Sequence, residues 1–299
     1  MTSTVLILGA SGRFGRNAAM AFSQAGWIVT KFDRSCDDLM EKARGVDVIV
    51  NAWNPAYTDW AKDIPEQTRD VIAAAQASGA TIIIPGNVYV FGADAPQRFA
   101  EDAAHRAKNH LGRIRVEMER AYRDAGVKTI VLRAGDYIDT EASGNWFDMI
   151  ITAKLGRGKI SYPGALDAPH AWAYLPDMAR ATVLLAEMRD ELAVFEDVPF
   201  AGYTLTGAEL GAKIADLVPG TVKVTRMSWL PLRLISPFWA LGRRLIEMRY
   251  LWNKPHHLDG ARMAHLLPGF KETPLAEALA TALSDHVHPN QAMSGAVYQ

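Results

Sequence analysis

Residues 4–15 read Thr-Val-Leu-Ile-Leu-Gly-Ala-Ser-Gly-Arg-Phe-Gly, an apolar run that passes straight into a glycine-punctuated turn and then into a helical pattern. Val5, Leu6, Ile7 and Leu8 do not alternate with polar residues, as expected of a strand covered on both faces in a parallel sheet. Each glycine has a physical use in such a unit. Gly9 permits the tight turn, Gly12 lets the backbone approach a pyrophosphate, and Gly15 lets the helix lie close to its strand, while the helix N-terminus offers unpaired amides to phosphates. Gly26 ends the helix, Trp27 to Phe32 reads as a second strand, and Asp33 follows where such units place an acceptor for the adenosine ribose. The stretch reads as a dinucleotide-binding strand-turn-helix, with Gly9, Ser11, Gly12, Arg13, Phe14, Gly15, Asp33 and Arg34 as candidate contacts.

The chain of 299 residues is 49% apolar, enough to bury one large domain or two lobes. A formal charge of −1, with the basic residues scattered, leaves no electrostatic footprint for nucleic acid. Cys36 is the single cysteine, which excludes an intramolecular disulfide and fits a reducing compartment. Asp37 and Asp38 beside it oppose thiolate formation, so Cys36 is not read as a nucleophile. The first strand begins too near Met1 for the regions of a signal peptide, and a cytoplasmic location is expected. Trp229 to Trp252 is the most membrane-like stretch, but Arg233, Arg243, Arg244, Glu247 and Arg249 interrupt it, as do Pro231 and Pro237. No membrane partner is expected. Trp229, Trp239 and Trp252 are read as covering a substrate pocket or forming a subunit contact rather than binding lipid.

Strands and helices alternate through the first half. A short helix (Asp37 to Arg44) leads to strand Val46 to Asn51, and a longer helix (Pro65 to Ser78) to strand Thr81 to Pro85. A helix over Gly112 to Ala125 then precedes strand Thr129 to Arg133. This alternation predicts an α/β fold, a Rossmann-type doubly wound parallel sheet. From Ala134 onward Gly/Pro-rich loops dominate, which predicts a smaller C-terminal substrate lobe. Residues 1–135 and about 171–200 are assigned to the nucleotide-binding domain, the latter carrying helix Pro176 to Met188 and strand Ala193 to Val198. About 136–170 and 201–299 are assigned to the smaller lobe. Thr206-Gly-Ala-Glu209 has the form of a capping box.

Taken together, several motifs resemble the extended and atypical short-chain dehydrogenase/reductases, in their epimerase/dehydratase-like branch. They are Gly9-x-x-Gly12-x-x-Gly15, Asp47-Val-Ile-Val-Asn-Ala52, Pro85-Gly-Asn-Val-Tyr-Val-Phe-Gly92, Leu132-Arg-Ala-Gly135 and His170-Ala-Trp-Ala-Tyr-Leu-Pro-Asp-Met-Ala-Arg-Ala181. The resemblance implies a nicotinamide cofactor, with Asn51, Ala52, Trp53, Gly86, Asn87 and Arg115 around its reactive ring. It also implies a possible homodimer through helices near Arg69 and Arg120. Redox members of the family use a Tyr-x-x-x-Lys pair with a Ser or Thr. Here Leu111 falls at the tyrosine position, Arg115 at the lysine position and Asn87 at the serine position. Leucine cannot transfer a proton, and an arginine stays charged, so the usual acid/base mechanism cannot be carried over. The adenine half is also shortened, since only about a dozen residues separate Asp33 from Val46, too few for the extra strand of many relatives.

A replacement proton donor is sought among Tyr89, Tyr57, Tyr137 and His170. Tyr89, two residues after Asn87, is the first candidate, so Asn87, Tyr89 and Arg115 form the candidate catalytic set. His170 is otherwise read as positioning the helix that begins near Pro176, and Trp53 and Tyr57 as shaping a pocket or packing a loop. Two arginines, Arg13 and Arg34, against the single carboxylate of Asp33 favour NADP over NAD. No metal site is expected, because the adjacent His256 and His257 present no chelating face. His105, His110, His286 and His288 are read as solvated. Two functions follow. One is an NAD(P)-dependent oxidoreductase or epimerase-like enzyme acting on a small carbonyl or sugar-like metabolite, with a nonstandard proton donor. The other is a noncatalytic NAD(P)-binding redox sensor or assembly protein.

Overall fold

The structure is a computed structural model that describes residues 2–284; His286 and His288 lie outside the described residues. The first half runs β1 (Thr4–Leu8), α1 (Arg13–Gln24), β2 (Ile28–Phe32), α2 (Leu39–Lys42), β3 (Val48–Asn51), α3 (Trp60–Ser78) and β4 (Thr81–Asn87). A two-residue β5 (Arg98–Phe99), α4 (His110–Asp124) and β6 (Thr129–Ala134) follow. The chain continues through β7 (Asp136–Ile138), β8 (Lys159–Tyr162), β9 (His170–Tyr174), α5 (Leu175–Glu187) and β10 (Phe195–Pro199). It then forms β11 (Tyr203–Leu205), α6 (Gly207–Ala215), β12 (Lys223–Arg226), α7 (Leu230–Ile235) and α8 (Ala240–Met248). The described part ends with β13 (His257–Leu258), α9 (Ala261–Leu266) and α10 (Leu275–Ala282).

Six strands pair in parallel in the order β10-β6-β4-β3-β1-β2, the doubly wound sheet expected from the alternation. The unbroken apolar run of β1 has a direct cause. Val5 and Ile7 enter a core with Phe14, Phe22 and Met178, whereas Leu6 and Leu8 enter a second core with Ile49, Trp60 and Tyr122. Because successive side chains point to opposite faces, only an unalternating sequence can fill both layers. The strand order reverses between β1 and β3, so a crevice opens at their carboxyl ends, where doubly wound sheets place ligands.

Two helix boundaries depart from the sequence reading. Helix α3 starts at Trp60, five residues before Pro65, with Pro65 inside it. A proline that early removes one backbone bond, and Trp60 compensates by burying its ring and donating from Nε1 to the Pro55 carbonyl at 3.0 Å. The expected helix over Asp37 to Arg44 shrinks to four residues, capped by the Asp38 carboxylate, which accepts from the Glu41 amide at 2.9 Å.

A buried ion cluster joins four pieces of the sheet layer. Arg133 on β6 is fully buried and donates from Nε and Nη2 to Asp197 on β10, at 3.1 and 2.5 Å. It also donates to both carboxylate oxygens of Glu119 on α4, at 3.0 and 2.8 Å, and to the Asn87 carbonyl at 2.7 Å. Burial opposes its charge, but the two carboxylates outweigh burial and hold the guanidinium protonated. His105, expected in solvent, stands 3.7 Å from Glu119 and 3.9 Å from Asp197 with its ring edge on Phe91. Burial and then the Arg133 charge push its pKa down to about 4. His105, Glu119 and Asp197 are spaced as metal ligands are, yet both carboxylates are already engaged by the Arg133 guanidinium.

A third apolar cluster gathers Ile138, Tyr162, Trp172, Leu210, Trp252 and Leu279 around a small sheet of β7, β9 and β11. His170 stacks on Trp252 there, with ring centroids 4.3 Å apart and planes 3° from parallel. Its Nε2 faces Asp136 Oδ2 at 2.7 Å, so it holds a carboxylate rather than the start of α5. His256 meets the same ring edge-on at 4.5 Å and donates from Nδ1 to the Lys254 carbonyl at 2.9 Å. Its neighbour His257 points to solvent. Burial, with His170 nearby, depresses the His256 pKa to about 3.

Two outcomes follow for stability. Arg133→Met strands two buried carboxylates and should cost about 3–5 kcal/mol in urea unfolding. Combining it with Glu119→Gln and Asp197→Asn should recover part of that loss, and a single variant as stable as the parent would refute the cluster's role. His256 takes a proton in the unfolded chain below about pH 6.5 but resists it when folded. Its contribution is therefore complete above that pH and declines on acidification toward its folded pKa of about 3. Between about pH 7 and 4.5, His256→Phe should lose about 2–3 kcal/mol less stability than the parent; equal losses would show that this histidine does not titrate on unfolding.

Candidate functional site

A cleft of about 1150 Å³ lies across the carboxyl ends of β1, β3, β4 and β6. One end is built by the first turn. Gly9 has φ +76°, and a Cβ there would stand 2.9 Å from the Ala52 carbonyl oxygen. A Cβ at Gly15 would stand 2.1 Å from the Gly9 carbonyl oxygen, so only glycine lets α1 lie this close to the turn. Gly12 is the N-cap of α1, and no side chain caps that helix, leaving the amides of its first turn directed at the cleft. These are the features a pyrophosphate needs, and the residues present fit a dinucleotide.

Of the sequence candidates, Gly9, Ser11, Gly12, Arg13, Phe14, Asp33, Arg34, Asn51, Ala52, Trp53, Asn87, Tyr89 and Arg115 line this cleft. Gly15 and Gly86 do not. Gly15 is spent on helix packing, and Gly86 on strand packing, since a Cβ there would stand 2.5 Å from Val131 Cγ1 on β6. Asn51 lines the wall but its amide is committed, donating to the Tyr122 hydroxyl at 3.0 Å and accepting from the Trp53 amide at 3.3 Å. The amide and hydroxyl of Ser35 hold the exposed Asp33 carboxyl below its usual range. Arg13 reaches across the cleft and donates to the Gly144 carbonyl at 2.9 Å. Asp37, Asp38, Asp63, Glu66 and Asp70 border the recess beside Arg34.

Leu111, which the resemblance aligns with the family's tyrosine, does not line the cleft. Its side chain is buried, and its amide donates to Glu247 Oε1 at 2.6 Å. Two other tyrosines stand at the cleft floor. The Tyr57 and Tyr89 hydroxyls are 2.6 Å apart, one donating to the other. Burial raises both, Tyr89 well above its ordinary value, where Tyr57 and the Asp136 carboxylate add to the effect. Asn87 acts on the backbone: its side-chain oxygen accepts from the Tyr89 amide at 3.0 Å and sets the turn that aims the ring. Arg115 donates to Asn54 Oδ1 at 2.8 Å, lies 4.2 Å over the Trp60 ring, and keeps a buried Nε without a partner.

Asp136 is a cleft residue that the sequence reading missed. It lines the floor with Tyr137 and is oriented from behind by His170, which does not itself reach the cleft. The signal was present in Gly135-Asp136, an acid at the carboxyl end of β6 after an indispensable glycine, since a Cβ at Gly135 would stand 2.1 Å from the Ala171 carbonyl oxygen. The loop beyond it is tied to α1: Asp139 accepts from Arg16 at 2.9 Å and from Asn17 at 3.1 Å.

Among solved structures the chain is similar to UDP-N-acetylglucosamine 4-epimerase from Bacillus cereus, with TM-score 0.74, 13% identity, and 95% of this chain and 99% of that one covered. It is similar to dTDP-4-dehydrorhamnose reductase from Bacillus anthracis in complex with NADP, with TM-score 0.70, 18% identity, and 95% and 100% covered. It is also similar to UDP-glucose 4-epimerase from Brucella ovis in complex with NAD, with TM-score 0.70, 18% identity, and 96% and 99% covered. At these identities the likeness is one of fold. No curated protein matches the sequence. The family model described as RmlD substrate binding domain matches residues 3–160. More than half of the chain is matched, and with the six-stranded parallel sheet this makes the chain a member of the RmlD substrate binding domain family, among the extended and atypical short-chain dehydrogenase/reductases.

Proposed function

We propose that the protein is a nicotinamide-dinucleotide-dependent reductase of a sugar-like carbonyl compound, in which the Tyr57–Tyr89 hydroxyl pair replaces the missing tyrosine–lysine pair. The observation that carries this reading is the 2.6 Å hydroxyl contact on the floor of a cleft whose far end is the uncapped N-terminus of α1. The amides of the first turn of α1 would hold a pyrophosphate and Asp33 would accept from the adenosine ribose of a nicotinamide dinucleotide, whose reduced form would supply hydride to a carbonyl carbon. Tyr89 donates its proton to the oxygen that becomes an alkoxide, and Tyr57, bonded to it, stabilises the tyrosinate left behind. Arg115, close enough to lower both hydroxyls against their burial, supplies the positive charge that a lysine provides in relatives. Raised hydroxyls stay protonated at neutral pH and are poised to donate to the developing alkoxide, a far stronger base than a tyrosinate.

Asp136, fixed by His170, accepts from hydroxyls of a polyol substrate, and the described part of the smaller lobe, 136–170 and 201–284, covers it. Two arginines had favoured NADP. With Arg13 turned to Gly144, Asp33 ionised, and carboxylates around Arg34, the charge distribution favours NAD.

Calorimetric titration should give NADH binding about tenfold tighter than NADPH, and Gly12→Asp, which sets a carboxylate where the pyrophosphate lies, should abolish binding of both. Absence of binding to the parent would sink the cofactor reading. Tyr89→Phe should slow NADH oxidation in the presence of nucleotide-linked keto sugars by about a hundredfold while leaving NADH affinity unchanged. Nucleotide binding with no turnover on any such compound would favour the redox sensor or assembly protein instead.

A further inference from the structure

Residues 217–246 contain no aspartate or glutamate; their charged residues are Lys223, Arg226, Arg233, Arg243 and Arg244. The same stretch holds a dense exposed apolar surface. Leu230, Leu234 and Ile235 on α7 are 61%, 67% and 52% exposed, and Phe238, in the turn that joins α7 to α8, is 94% exposed. None of the six residues of α7 is buried. A large aromatic ring so nearly free of contacts is unusual beside three exposed aliphatic side chains, and contiguous patches of this kind mark interaction sites.

The hairpin is built to hold that tip outward. Arg243 on α8 donates to the Pro237 carbonyl at 2.8 Å, closing the turn from the inside. Trp239 lies flat against Gly242, where a Cβ would stand 2.8 Å from the indole Cε3. At the root, Trp229 is buried and donates from Nε1 to the Pro163 carbonyl at 2.5 Å. The tryptophans of this segment thus divide: Trp229 and Trp252 pack inside the third apolar cluster and do not line the cleft, whereas Trp239 belongs to the tip.

We propose that the hairpin Leu230–Arg244 is a membrane-surface docking element whose apolar tip seats in the acyl boundary of an anionic leaflet. Phe238, Leu234 and Leu230 enter the apolar layer, and the exposed Arg233 and Arg243 lie level with lipid phosphates, their stems covering apolar surface and their heads reaching the anions, while Arg244 is paired with Glu247. Charge complementarity selects this occupant. A second copy of the chain would bring the same exposed arginines against each other, and the nearest carboxylate in sequence, Glu247 on α8, is already engaged by Arg244 and by the Leu111 amide. The element lies on the surface and does not span: no helix among the described residues is long and apolar enough to cross a membrane.

Flotation of the full chain with phosphatidylcholine vesicles, with and without phosphatidylglycerol, tests the proposal. The parent should float with the anionic vesicles only, and raising salt should release it. A Leu234→Ser/Phe238→Ser variant should partition at least about tenfold less, and Arg233→Glu should weaken partition in the same direction. Both substitutions lie on exposed side chains, so thermal unfolding should match the parent and report folding separately. No flotation of the parent, or equal flotation of the double variant, would overturn the proposal. So would a parent that is dimeric by light scattering, fails to float, and becomes monomeric on Leu234→Ser/Phe238→Ser, because the patch would then be an interface between copies.

Discussion

The guanidinium of Arg133 is the constraint around which the site is arranged. All of its N–H groups have acceptors, and those acceptors come from β10, α4 and the backbone at the end of β4. A buried cation with two carboxylates stabilises little relative to an apolar core of the same volume, because desolvation consumes most of the Coulombic gain. What it supplies is position. The Asn87 carbonyl cannot shift without stranding a donor, and Asn87 in turn sets the short turn that aims Tyr89. The floor of the cleft is therefore fixed by electrostatics in the layer beneath it, where no ligand reaches.

Above that layer, two loops bring a pair of hydroxyls to the cleft floor. Leu111 on α4, which the resemblance aligns with a tyrosine, is buried, and its amide is bonded to Glu247. Tyr57 arrives instead from the loop after β3, and Tyr89 from the turn after β4. Trp60, whose ring carries Arg115 on one face, packs against both, with ring centroids 4.9 Å from Tyr57 and 6.1 Å from Tyr89. The cation is thus held by an aromatic face and an amide rather than by a direct carboxylate partner, and it lowers both hydroxyls against burial and the Asp136 carboxylate, whose opposing effects are larger.

The sheet was legible because its determinants are local. Unalternating runs at Val5–Leu8, Val48–Val50 and Ile82–Ile84 state that two faces are covered, and glycines mark where helices stop. Helix α3 began earlier than Pro65 suggests because a tertiary anchor, the buried Trp60, outweighs one lost backbone bond. His105 was read as solvated since no periodicity in its own segment reveals Glu119 and Asp197 approaching from other elements. The Tyr57–Tyr89 contact joins residues 32 apart through two loops, and Asp136 with His170 joins residues 34 apart. Such pairs exist only once the sheet order is known, so the sequence could propose members but not partnerships. Gly86 shows the converse, a glycine in a motif that serves strand packing.

The ties from α1 to the loop after β7 have a consequence for the cost of recognition. Arg16 and Asn17 converge on the buried Asp139, and Arg13 holds the Gly144 carbonyl two residues before Trp146, which walls the cleft. Fixing a residue's backbone costs about 1–2 kcal/mol in conformational entropy. For the loop 139–146 that cost is already met during folding, through side chains of a helix rooted in the main sheet. An incoming molecule meets a wall that is already ordered, and less of its contact energy is lost to immobilising the loop.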